Sequence, residues 1–151
     1  MLAGIIASIM LVGLTLLVHY EILRFAWSML PSLPFPLRLR VVFIVFAAFL
    51  AHTIEVWLYA AAFYLFVAVF HFASFGGRMM EDWRDYVYFS AITYTSLGLG
   101  DVFPIGQARL LTGVEALNGL VLIGWSASFT YLSMERLWPL HMGNRGKRKN
   151  D

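Results

Sequence analysis

The chain has 151 residues, of which 60% are hydrophobic and only 13% are charged, against roughly 25% charged in an ordinary soluble domain. That balance excludes a soluble globular domain and a disordered tail, and the lack of cysteine excludes a secreted disulfide scaffold. What remains is an all-α integral membrane protein of a few helices. It is too small to carry much beyond the bilayer, so any regulatory domain is expected on a separate subunit, and no enzymatic activity is expected.

In chain order, residues 1–40 read as a peripheral transmembrane helix followed by a cytoplasmic loop. Met1 to Val18 is an uncharged run just long enough to cross a hydrocarbon core of about 30 Å. It lacks the basic start and the small-residue cleavage pattern of a signal peptide, so a retained helix is expected. His19 to Arg40 carries Glu21, Arg24, Arg38 and Arg40 together with Pro31, Pro34 and Pro36, which together predict a connecting loop. An outer helix is expected over 41–72, interrupted only by His52 and Glu55 and broken by Gly76-Gly77.

A short helix over 83–95 follows, with Glu81, Asp82 and Asp85 at its start, where the helix dipole favours negative charge. At about 1.5 Å per residue it is under 20 Å long, too short to cross the membrane. An inner helix is expected over 108–138, with Glu115 and Asn118 inside it. Pro139 ends it, and the tail 139–151 holds Arg145, Lys147, Arg148 and Lys149. Beside apolar helices such a cluster reads as a cytoplasmic topology anchor rather than a nucleic-acid site.

Charge sets the orientation. The loop and the tail are both rich in arginine and lysine, whereas the segment 71–109 opposes Arg78, Arg84 and Arg109 with Glu81, Asp82, Asp85 and Asp101. The positive-inside rule therefore places loop and tail in the cytoplasm and the middle segment outside. The two basic regions share a side only if the number of spans is odd, which supports three, with the N-terminus outside.

The informative stretch is Thr93-Tyr94-Thr95-Ser96-Leu97-Gly98-Leu99-Gly100-Asp101. Its short preceding helix aims a partial negative charge into the membrane, which favours cations. Alternating glycines let successive carbonyls turn the same way, and rings of such carbonyls can replace a monovalent cation's hydration shell. One chain gives one strand, so enclosing an ion calls for a closed cyclic homo-oligomer.

This nonamer resembles the potassium-channel signature T-x-T-T-V-G-Y-G-D, and residues 41–138 are similar to the bacterial two-helix channel pore modules. The resemblance implies a homotetramer in a prokaryotic cytoplasmic membrane that passes potassium passively. Each subunit would supply an outer helix, a re-entrant pore helix with filter 96–101, and an inner helix. It implies ion sites at the carbonyls of Ser96, Leu97, Gly98 and Leu99, with the Ser96 hydroxyl closing the innermost. Potassium in the filter is the only bound species implied; no cofactor and no other metal is.

Thr95 would anchor the filter to the pore helix, Gly100 would complete its backbone, and Asp101 would sit at the outer mouth. Leu99 replaces the usual aromatic brace, which leaves open a weakly selective cation channel. Ile92 stands where some relatives place a glutamate facing the filter aspartate, so Asp101 either finds another partner, for which Tyr88 is the candidate, or remains solvated. A non-conducting membrane subunit with a degenerate pore is the alternative from another class.

Gly98-Leu99-Gly100-Asp101 also matches the GxGD element of intramembrane aspartyl proteases. That chemistry needs a second membrane aspartate, and Asp82, Asp85 and Asp151 lie in polar segments. His52 and Glu55, three apart on one helical face, are a candidate proton sensor or ligand pair. Two ligands fall short of the three or four a zinc site needs, so bonding to each other or to a neighbouring helix is the preferred reading. Glu115 is expected to accept bonds from pore-helix or filter backbone. Asn118 and Gly119 could either line the cavity or bend the helix.

Overall fold

The computed structural model describes residues 2–34, 36–78 and 82–137. Three helical segments are long and apolar enough to cross a membrane: Leu2–Ser32, Leu37–Val69 and Ala108–Leu137. They contain helices α1 (Leu2–Met29), α2 (Leu37–Tyr64) and α4 (Ala108–Leu137). A shorter helix, α3 (Trp83–Tyr94), is wedged between α2 and α4, and two strands, β1 (Ala73–Gly77) and β2 (Val102–Gly106), flank it in sequence.

Each span turns inward a stripe in which small and polar residues alternate with a few large apolar ones, and turns many of its large apolar residues outward. In α1 the buried stripe is Gly4, Ser8, Thr15, His19, Leu23 and Ala26. In α2 it includes Ile44, Ala48, Ala51, Glu55, Tyr59 and Phe63, and in α4 Leu111, Glu115, Asn118, Gly119, Leu122 and Ser126. Outside lie Ile9, Met10, Phe25, Phe46, Phe49, Leu117, Leu120 and Tyr131. Lipid tails are as apolar as leucine, so helix association rests on close packing of small residues and on hydrogen bonds between helices.

The first helix does not stop at Val18. It continues to Met29, and only residues 30–36, with Pro31, Pro34 and Pro36, form the connection, including one 3₁₀ turn over Leu30–Ser32. No glycine or proline lies between Val18 and Leu30, and Glu21 pairs with Arg24 one turn on at 3.1 Å, so these charges sit on an exposed helix surface. The second span also ends earlier than 72. A π-turn over Leu65–Val69 closes with Phe70 N–H donating to the Leu65 carbonyl at 2.9 Å, and His71 takes a left-handed φ of 53°.

Gly76 and Gly77 therefore do not break a helix; they belong to β1. The strands pair antiparallel, Ala73 opposite Gly106 through Gly77 opposite Val102. A Cβ on Gly77 (φ 91°) would stand 2.2 Å from the Asp101 carbonyl oxygen, and the next amide, Arg78 N–H, donates to that oxygen at 2.9 Å. The hairpin thus grips the chain where the 96–101 segment leaves. Beneath it, Phe75 and Phe63 pack edge-on against Phe89 of α3, with ring centroids 4.7 and 5.1 Å away. Glu81, Trp138, Pro139 and the basic tail lie outside the described residues.

Candidate functional site: the segment after the short helix

α3 is aimed by both its ends. Asp82 occupies the N-cap position, and its backbone N–H donates to Asp85 Oδ2 at 3.1 Å, so two carboxylates stand at the positive pole of the helix. The apolar face of α3 (Tyr86, Phe89, Ile92) is buried, while Ser90 donates across to the Val56 carbonyl of α2 at 2.8 Å. At the other end the chain turns back on the helix terminus. Ser96 N–H donates to the Thr93 carbonyl at 2.8 Å and Gly98 N–H to the Ile92 carbonyl at 3.1 Å.

From there the backbone hand alternates. Ser96 (φ 57°), Gly98 (φ 50°) and Gly100 (φ 79°) are left-handed, and Leu97 and Leu99 between them are not. Neighbouring carbonyls of an ordinary extended strand point to opposite sides; reversing every second residue brings them to one side. Glycine takes that conformation without strain at 98 and 100. At Ser96 the two backbone bonds at the helix end hold it.

The leucine side chains of this segment are largely uncovered. Leu97 and Leu99 are 63% and 60% exposed, and a Cβ on Gly98 or Gly100 would meet nothing within 4 Å. Thr95, also exposed, turns its hydroxyl back to the Ala91 carbonyl at 2.8 Å within its own helix. Asp101 accepts a hydrogen bond from the Tyr88 hydroxyl at 2.9 Å, while Ile92 is buried and offers Asp101 no polar group. That bond holds the Tyr88 phenol above its ordinary pKa.

Behind α3 the partners differ in detail from the sequence reading. Glu115 is fully buried and bonds the Ser90 hydroxyl, a side chain rather than pore-helix or filter backbone, because Ser90 faces it directly across the α3–α4 contact. The Asn118 amide donates to Thr15 Oγ1 at 2.8 Å and to the Tyr59 hydroxyl at 3.2 Å, tying α4 to α1 and α2. Gly119 is where α4 touches the Tyr94 carbonyl. Gln107 Oε1 accepts from Gly4 N–H at 3.2 Å, so α1 begins on the side where the 96–101 segment ends.

His52 and Glu55 do bond each other, at 3.1 Å, and a residue that sequence reasoning missed completes the group. His19 of α1 reaches Glu55 Oε1 at 2.8 Å with both side chains fully buried. The charges and prolines that follow it predict a loop at this position. The steps of seven and four residues from Ser8 to Thr15 to His19, separated by apolar residues and glycine, are the signal that places it on the inward stripe.

A family model described as ion channel matches residues 39–134, from the start of α2 to near the end of α4. No curated protein and no solved structure matches the chain.

Proposed function

This chain belongs to the ion channel family, and we propose that four copies surround a central axis and conduct monovalent cations, potassium foremost, passively across a prokaryotic cytoplasmic membrane. The observation that carries this reading is the alternation of left-handed residues at Ser96, Gly98 and Gly100 directly after a half-helix whose C-terminal end faces the same segment. The carbonyls of Ser96, Leu97, Gly98 and Leu99 serve as ion sites, with the Ser96 hydroxyl at the inner end. Thr95, Gly100 and Asp101 hold the segment's ends.

The exposed Leu97 and Leu99 support the oligomer. Non-helical backbone at membrane depth persists only when buried in protein or lining a water-filled path, and one copy provides neither. Neighbouring copies cover the leucines and leave the carbonyl edge facing the axis. The filter end and the start of α1 face outward, and the basic tail faces the cytoplasm. Potassium is the cargo, and no cofactor takes part.

The test is ion flux from potassium-loaded liposomes containing the purified protein. The expected result is potassium efflux that barium blocks and that sodium and lithium gradients do not reproduce. Equal potassium and sodium flux would replace selectivity with a weakly selective cation pore, the consequence expected if Leu99 cannot brace the filter. Absence of flux in every gradient would leave a non-conducting membrane subunit. A crosslinking ladder ending at four supports the tetramer, and one ending at two overturns it.

A further inference from the structure

Four helices bring polar atoms to one buried point that ion conduction does not use. Glu55 presents one carboxylate oxygen to His19 Nδ1 at 2.8 Å and the other to His52 Nδ1 at 3.1 Å. Tyr94, the last residue of α3, places its hydroxyl 2.9 Å from His52 Nδ1 and bonds Glu55 Oε2. On the far side of both rings a single atom, Ser126 Oγ of α4, lies 3.2 Å from His19 Nε2 and 3.0 Å from His52 Nε2.

The protons can be balanced in two ways. In one, a first ring is an imidazolium that donates from Nδ1 to Glu55 and from Nε2 to Ser126 Oγ, while the second, neutral and protonated on Nδ1, donates to Glu55 and accepts the Ser126 O–H at Nε2. In the other, both rings are neutral and protonated on Nε2, two N–H groups donate into the lone pairs of Ser126 Oγ, and both Nδ1 lone pairs face the Glu55 carboxylate, where a metal ion takes the place of the bridging protons.

The donor set and spacing fit a metal. Ligand atoms of His19, His52 and Glu55 all lie within 4.8 Å of one another. Donors bound to tetrahedral zinc at about 2.0–2.1 Å sit about 3.3 Å apart, so the histidine contacts of Glu55 at 2.8 and 3.1 Å must open slightly, the closer Tyr94–Glu55 contact must open further, and any pair nearer the 4.8 Å limit must draw in. A hydrogen bond donated by the far N–H of each ligating histidine, here to Ser126 Oγ, is the usual device for fixing tautomer and ring orientation. The site also has an approach: His52, Tyr94 and Ser126 line a cavity of about 620 Å³ between α2, α3 and α4, otherwise walled mainly by apolar residues such as Phe49 and Ile123.

We infer that His19, His52 and Glu55 bind a divalent transition-metal ion of the zinc class, with the Tyr94 hydroxyl at the fourth position and Ser126 orienting both rings. Its place gives it a role. His19 belongs to α1, which lies outside the residues matched by the family model, whereas Glu55 and Tyr94 belong to the matched part. The metal clamps the peripheral helix to the outer helix and to the end of α3, two residues before Ser96.

The test uses the full chain, purified without a polyhistidine tag, stripped with a chelator and titrated with cobalt(II) as the probe. The expected result is one cobalt per chain, with the intense visible bands of tetrahedral coordination, displaced by zinc. H19A and H52A should each weaken uptake more than tenfold, and S126A about 10- to 100-fold, as loss of an outer-shell partner does. E55Q keeps a polar group of the same size, so it separates ligand loss from misfolding: an unchanged gel-filtration profile with the cobalt bands gone supports the site. The inference is overturned if the wild-type chain shows no tetrahedral cobalt bands, or takes up a proton at this cluster but no metal. It is overturned equally if H19A retains the bands. None of these readouts requires ion flux, so failure here leaves the channel reading untouched, and failure of flux leaves this site untouched.

Discussion

Gly119 of α4 lies against the Tyr94 carbonyl at the end of α3: a Cβ at position 119 would stand 2.0 Å from that oxygen. A backbone oxygen cannot swing aside as a side-chain tip can, so G119A must move either the inner helix or the end of α3 from which the 96–101 segment departs. Overpacking of this kind costs about 1–3 kcal/mol. We expect G119A to lower the thermal midpoint in detergent and to impair ion flux together. G124A, at a position where a Cβ meets nothing within 4 Å, should change neither. Wild-type flux and stability in G119A would show that the contact is not needed.

Asn118 links three helices through one amide group, donating to Thr15 and to Tyr59. Replacing it with alanine leaves the buried Thr15 and Tyr59 hydroxyls short of a partner, a loss of about 1–3 kcal/mol. N118A should therefore loosen α1 from the rest and make it more accessible to proteolysis, and T15V should reproduce part of the effect. Unchanged protease resistance of α1 in both variants would place its docking elsewhere.

The organisation of the pore region was legible because its signals are local. Two long apolar runs, a short helix with acids at its start and a glycine alternation each read directly from neighbouring residues. The bounds expected for the short and inner helices fall within a residue of α3 and α4, whereas α2 runs over Leu37–Tyr64 rather than 41–72. What escaped depends on contacts distant in sequence. The β1–β2 hairpin joins Gly77 to Val102, and the Phe63–Phe75–Phe89 cluster that supports it spans 26 residues. His19 escapes because the charges and prolines that follow it predict a loop. A transmembrane helix can keep Glu21 and Arg24 at its end when they face outward and pair with each other. The left-handed φ of Ser96 was equally invisible, since serine carries no preference for it.

The Tyr88 hydroxyl donates to Asp101 Oδ2, and this bond raises the phenol pKa above its ordinary value. The sign follows directly. A group with a raised folded-state pKa contributes fully below the unfolded phenol value of about 10, and that contribution is lost as pH rises through the higher folded value. Ultraviolet titration of the wild-type chain minus Y88F should show one tyrosine ionising late, and D101N should return it to the ordinary range. Because the bond itself is exposed, its loss in Y88F should scarcely change thermal stability. A Tyr88 increment unmoved by D101N would sever the link between the two residues.

Ser90 has one hydroxyl proton and two close acceptors, the Val56 carbonyl at 2.8 Å and Glu115 Oε1. The carbonyl can only accept, so Ser90 donates to Val56, and the contact with Glu115 needs its proton from the carboxyl. Glu115 is fully buried, and its Oε2 has no hydrogen-bond partner among the described residues, an arrangement that an ionised carboxylate in a bilayer would not tolerate. The neutral acid fits it, with the O–H on Oε1. E115Q can donate to Ser90 in the same way and should cost about 1–2 kcal/mol, chiefly for its second, unpaired N–H. E115A removes the donor and leaves a cavity, and should cost about 2–5 kcal/mol, as truncation of a buried side chain of this size does. The direct measurement is infrared spectroscopy at neutral pH, where the wild-type chain should show a protonated-carboxyl C=O band that E115Q lacks. If that band is missing from the wild-type chain, Glu115 is ionised and the donor to Val56 must be reassigned.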